Sequence, residues 1–162
     1  MDDDNEARVF TPFNTLRAKI GNKPGPNLDQ IVANAEAALD DMKVEFEVWI
    51  RDDLQALRDA LTALRETTAA DPAILARIKT LSHEIKGQGA TYGYPLLTIV
   101  GDLLHGFIEC DPEVAAKHLS LLDAHVDFMT LVLAQEIRDE GDARVRKILA
   151  ALVEAAKKAH TG

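Results

Sequence analysis

Cysteine is all but missing from this chain. The single one, Cys110, excludes an intrachain disulfide and any zinc site built from several cysteines. Aromatic residues are scarce, at 5%, and cations are outnumbered: 18 Lys plus Arg face 27 Asp plus Glu, a formal charge of −9. That balance excludes a general nucleic-acid surface, because neutralising phosphates takes clustered Lys and Arg. Apolar runs are short, and none approaches the ~18 residues of a membrane span. The opening Met1-Asp2-Asp3-Asp4 is acidic where a secretory signal is basic, so the expectation is a cytoplasmic protein without a membrane partner. What is present is an apolar fraction of 47% over 162 residues, enough to bury one core. Alanine is frequent, which favours helices.

Residues 1–27 do not read as core. Pro12, Pro24, Pro26, Gly21 and Gly25 punctuate them, and Lys23-Pro24-Gly25-Pro26 has too many φ restrictions and too few donors to carry a helix. Val9, Phe10, Phe13, Leu16 and Ile20 supply some apolar surface, so an N-terminal arm is expected, partly docked and partly disordered. From Asn27, a candidate N-cap with Gln30 at the capping-box position, apolar residues recur in steps of three and four: Leu28, Ile31, Ala35, Leu39, Met42, Phe46, Trp49, Ile50, Leu54, Leu57, Leu61, Leu64. This is one long amphipathic helix or two nearly collinear ones; a single helix over 28–66 would span about 58 Å. A bend near Arg51-Asp52-Asp53 is expected, because charge interrupts the stripe there. Trp49 reads as core.

Asp71-Pro72 and Asp111-Pro112 each place an N-cap carboxylate before a proline at the first helical position. The helix after Asp71 has Ile74, Ile78, Leu81 and Ile85 inward and must end before Tyr94-Pro95. A segment from Leu96 to Ile108 follows, with Leu97, Val100, Leu104 and Phe107 or Ile108 inward. After Asp111 the stripe runs Val114, Leu119, Leu122, Val126, Met129, Leu133, Ile137. Gly141 breaks it, and a last helix follows to about Lys158. No strand pattern of useful length occurs. The fold class is all-α, and the short connections imply an antiparallel up-and-down four-helix bundle over 28–140, with a C-terminal helical extension over 141–162.

The informative stretch is Leu81-Ser82-His83-Glu84-Ile85-Lys86-Gly87-Gln88-Gly89-Ala90-Thr91-Tyr92-Gly93. On a wheel with Ile78 at zero, His83 falls at about 140°, away from the apolar stripe. Gly87 falls at about 180° and Ala90 at about 120°, beside His83; Lys79 at about 100° and Lys86 at about 80° flank it. Each interior glycine costs about 1 kcal/mol against alanine. Bare backbone beside an exposed imidazole makes sense where another molecule must approach it closely. Lysines beside it make sense where it carries negative charge, as a phosphoryl group on nitrogen would.

His83, Lys86 three residues on, Gly87 four on, the small Gly89 and Ala90, and Gly93 ten on together resemble the histidine-containing phosphotransfer (HPt) family. The run from His83 through Gly-Gln-Gly to Gly93-Tyr94-Pro95 is similar to HPt proteins of alphaproteobacteria. The helical plan from Leu28 to Ile137 agrees with that family's bundle. Gln88 departs from the pattern, in which a small residue is common, and the arm and final helix exceed a minimal module. The resemblance implies a phosphorelay intermediate in two-component signal transduction. His83 is the phospho-acceptor and Lys86 its partner, with Lys79, Gly87, Gln88, Ala90 and Gly93 on the phosphate and receiver-docking face. The partners implied are response-regulator receiver domains and the receiver of a hybrid histidine kinase. The receiver would supply Mg²⁺, so no cofactor is expected in this chain. Without a Gly-rich nucleotide loop it should neither bind ATP nor phosphorylate itself.

The other histidines, His105, His118, His125 and His160, have no metal-ligand spacing, so no metal site is expected. Ser82 and His83 cannot share a hydrogen bond, being adjacent on a helix, which excludes a Ser-His-Asp hydrolase. Two rival readings remain: a helical adaptor that docks on a receiver or kinase without carrying phosphate, and a dimeric coiled coil through the Leu28–Leu64 stripe. Three further amphipathic segments favour an intramolecular core and a monomer.

Overall fold

A computed structural model describes residues 27–67 and 70–161. The expectations for the arm, residues 1–26, fall outside the described residues. Six helices and no strand occur among the described residues: α1 (Leu28–Glu66), α2 (Pro72–Gly89), α3 (Pro95–Cys110), α4 (Pro112–Lys117), α5 (Leu119–Ala134) and α6 (Ala143–Thr161). The protein is all-α. No helix among the described residues is long and apolar enough to cross a membrane.

The chain falls into two units, Met1–Leu39 and Asp40–Gly162. The described part of the first is the start of α1. Asn27 caps it: its carbonyl accepts from Gln30 and Ile31 N–H, and its side-chain oxygen from Asp29 N–H. Every residue from Leu28 to Leu39 is exposed, Leu28 at 72% and Leu39 at 56%.

The second unit holds the core. From α1 it takes Phe46, Ile50, Leu54, Leu57, Leu61 and Leu64; Leu75, Ile78 and Ile85 come from α2, and α3 adds Leu97, Val100 and Leu104. Val126 and Met129 of α5 and Leu152 of α6 complete it. Helix α1 runs through Arg51-Asp52-Asp53 as one helix, not two collinear ones. Trp49, expected in the core, is 54% exposed. At about 100° per residue it stands about 80° from Leu57, at the margin of the buried arc, and Met42 is exposed as well.

Both proline-led helices are capped as their sequences require. Asp71 accepts from Ala73 and Ile74 N–H, and Asp111 from Glu113 and Val114 N–H. Each cap contributes about 0.5–2 kcal/mol. The stripe from Val114 to Ile137 is not one helix. It is divided at His118, whose ring Nδ1 donates to the Val114 carbonyl at 2.8 Å. The reason is visible in the spacing: the step from Val114 to Leu119 is five residues, which turns the apolar face by about 140°. Breaking the helix lets both segments face inward. Helix α5 stops at Ala134, so Ile137 packs on the core from a non-helical segment in which Glu136 takes φ 48°.

Two helix pairs run antiparallel. Along α2 and α3, Lys79 meets Glu109, Lys86 meets Asp102 and Gly89 meets Thr98, so numbering rises on one helix as it falls on the other. Along α1 and α5, Arg65 meets Asp123 and Arg58 meets Asp127 and Thr130. Helix α6 packs on α3, α4 and α5.

Candidate functional site

The α2–α3 pair is close because glycine makes it close. A Cβ at Gly101 would stand 3.0 Å from Lys86 N and from Ser82 O. A Cβ at Gly89 would stand 2.8 Å from Thr98 N. The neighbouring Ala90 N–H donates to Thr98 Oγ1 at 2.8 Å. Gly89 is buried and serves this contact, in line with its angle of about 20° to Ile78. The two helices therefore meet backbone to backbone on either side of His83, at Ser82 and Lys86.

On the outer side of this contact, α2 and α3 face each other in three rungs. Lys79 Nζ is 2.9 Å from Glu109 Oε1. The His83 and His105 rings are 5.4 Å apart, centre to centre, and inclined at 48°. Lys86 Nζ is 2.6 Å from Asp102 Oδ1. Hydrogen bonding and charge from Lys79 hold the Glu109 carboxyl below its ordinary range, with smaller help from His105 and Lys86. His83 is exposed, as the wheel placed it, and both lysines are half-buried.

One turn beyond His83, a Cβ at Gly87 would meet none of the described residues within 4 Å. Gln88 and Ala90 are exposed on the same stretch. Gly93 is exposed too, but its φ of +84° is a left-handed conformation that L side chains rarely adopt. Glycine is needed there to turn the chain between α2 and α3, whatever approaches from outside. Side chains packed on α1 hold that turn. Tyr92 stacks on Phe46 at 4.2 Å, and the buried Tyr94 donates its hydroxyl hydrogen to Glu47 at 2.9 Å while accepting from Arg138 at 3.0 Å. Burial, then the bond to Glu47, pushes the Tyr94 phenol up. On the α1 side, burial raises the Asp53 carboxyl, with Glu84 and Asp52 adding repulsion.

The residues that the sequence did not single out are on α3. Asp102, His105, Gly106 and Glu109 follow at intervals of three, four and seven, one helical face, and they complete all three rungs. That polar stripe was present in the sequence, but its partner helix and register were not. His118, His125 and His160 each bond back to a carbonyl of the preceding turn. Cys110 is an exposed thiol at the end of α3. A groove of about 1040 Å³ lies at the far end of the ladder; its lining reaches Lys79 and Glu109 but not His83.

What this arrangement offers chemically is an accessible imidazole nucleophile beside bare backbone, with cations on both sides already balanced by carboxylates. Comparison with protein-family models, curated proteins and solved structures returned no match.

Proposed function

We propose that the chain is a histidine phosphotransfer protein of a phosphorelay. His83 takes a phosphoryl group from the aspartyl phosphate of one receiver domain and passes it to the aspartate of another. The observation that carries this reading is the exposed His83 with open space at Gly87 one turn along α2. A receiver can bring its backbone close there. A neutral imidazole is a competent nucleophile near pH 7, and phosphoryl transfer asks mainly for positioning and charge neutralisation. Lys86, on the same face, supplies a cation for which a phosphoryl oxygen competes with Asp102. The antiparallel pairs α1/α5 and α2/α3 accord with an up-and-down four-helix bundle, in which α4 is a connection and α6 an extension. The proposed partners are response-regulator receivers and the receiver of a hybrid histidine kinase. They supply Mg²⁺, and the carrier works as a cytoplasmic monomer without autokinase activity.

A second reading has an observation of its own. Because Lys79 and Lys86 are neutralised by Glu109 and Asp102, the face also suits an adaptor that docks without taking phosphate. The test is incubation with a phosphorylated receiver domain. The carrier becomes labelled with acid-labile, base-stable phosphate; an adaptor binds the receiver and stays unlabelled.

A further inference from the structure

The middle rung of the ladder joins two imidazoles from different helices, and its α3 member has no role in the reading above. The outer rungs leave their cations occupied, Lys79 on Glu109 at 2.9 Å and Lys86 on Asp102 at 2.6 Å. His105 differs. Its Nδ1 stands 3.7 Å from Glu109 Oε2, near enough for attraction but outside hydrogen-bond distance. Its side chain is only 16% exposed, so packing holds it against the His83 ring, 5.4 Å away. The next residue, Gly106, is exposed and a Cβ there would meet none of the described residues within 4 Å, so among them the α3 side of the ladder is as open as the α2 side at Gly87.

We infer that His105 is a second phosphoryl-binding residue: as an imidazolium it donates a hydrogen bond to an oxygen of the phosphoryl group carried on His83. This rests on the phosphorelay reading of His83. During loading, the bare ring nitrogen of His83 attacks phosphorus. The N–P bond forms as the P–O bond to the donor carboxyl breaks, and that carboxylate leaves with the electron pair. The loaded ring carries a dianionic group. Negative charge this close favours a protonated His105, the proton coming from solvent, and a charge-assisted bond then holds the phosphoryl oxygen. By linkage, protonating His105 stabilises the loaded state by the same factor.

The surroundings of His105 suit that role. On its own helix, Glu109 places a carboxylate oxygen 3.7 Å from the His105 ring, and Asp102 is taken by Lys86. Helix α2 presents His83 itself and the two lysines, whose opposing charge the carboxylates offset. From α4, Glu113 and Lys117 line the groove that Glu109 borders. Of the charges on α5 and α6, Asp123 and Asp127 pair with arginines of α1 and Lys157 with Glu154. His160 of α6 lies edge-on against Phe107.

The test loads the full chain with potassium phosphoramidate, which needs no partner protein. The phosphoryl signal is followed by phosphorus NMR and assigned by its absence in His83→Gln. Its lifetime is measured from about pH 6 to about pH 9 in the unaltered chain, His105→Gln and His105→Arg. The lifetime in the unaltered chain should exceed that in His105→Gln about tenfold at the acid end, one unit of proton linkage, and match it at the alkaline end. His105→Arg, a permanent cation, should keep the long lifetime at both ends. A ratio that does not change with pH makes His105 a packing neighbour only and overturns the inference, as does failure of phosphoramidate to load His83. A chain that loads chemically with this dependence on His105, yet accepts nothing from a receiver, upholds the inference and overturns the relay reading alone.

Discussion

Two antiparallel helix pairs in this protein are stitched by ion pairs, and they are stitched differently. Between α1 and α5, Arg58 and Arg65 reach Asp127 and Asp123 across ordinary side-chain packing. Between α2 and α3, Gly89 and Gly101 bring the backbones together, and two Lys–carboxylate rungs bracket a pair of histidines. Each pair also carries a histidine with a different fate. His125 of α5 is wholly buried, with Nδ1 donating to the Leu121 carbonyl and Nε2 without a partner among the described residues. His83 of α2 is exposed. Exposed ion pairs contribute little to stability in either place. What sets α2–α3 apart is bare backbone on both sides of the contact: Gly101 and Gly89 turned inward for packing, Gly87 and Gly106 turned outward onto open space.

The sharpest way to break the comparison is His83→Gln. On the phosphorelay reading it abolishes phosphate acceptance, while stability shifts by less than ~0.5 kcal/mol, because the site is exposed. The checks are receiver-dependent labelling beside a denaturation curve. Full labelling of this variant would remove the functional distinction between the two pairs.

Next in size is the contrast between inward and outward glycines. Gly101→Leu drives a side chain into Lys86 N and Ser82 O, backbone atoms that cannot step aside. It should cost at least about 1–3 kcal/mol in urea unfolding, the usual range for overpacking. Gly87→Leu meets open space and should be neutral or stabilising, by up to about 1 kcal/mol from helix propensity. On the same reading it slows transfer, because its side chain projects into the receiver's approach. Equal stability of the two variants would show that α2 and α3 are not in backbone contact.

The buried histidine of the other pair predicts an acid slope. Burial holds His125 below the ordinary imidazole range, so it is neutral in the folded chain. As pH falls below about 6.5 the unfolded chain takes up a proton that the folded one refuses. Stability then drops, by up to ~1.4 kcal/mol per pH unit, until the folded state protonates too. His125→Phe should flatten the slope in that window, as melts at several pH values would reveal.

The smallest effects compare cations. Lys86→Ala should slow transfer by about tenfold at most, since its ammonium is partly exposed and shared with Asp102. Arg58→Ala should cost under about 1 kcal/mol and leave transfer unchanged. A time course against one receiver separates them; identical, unchanged rates for both variants would show that Lys86 takes no part in transfer.

Local physics made much of this molecule readable from its sequence. Asp71-Pro72 and Asp111-Pro112 start helices because a carboxylate and a missing N–H meet the needs of a helix end. The exposure of His83 follows from its angle to Ile78 and Ile85, and the bounds of α1 follow from its stripe and from Asn27. Trp49 was misplaced because apolar character does not say how wide the buried arc will be. The close contact made by Gly89 was not legible, because a small residue looks the same in sequence whether a partner molecule or a neighbouring helix needs the space. The partners of the lysines, and the meeting of His83 with His105, were decided only in three dimensions. They depend on the register of α2 against α3, which the turn through Gly93 and the close approach at Gly89 and Gly101 set together. Intervals along one helix carry no record of what stands opposite on another.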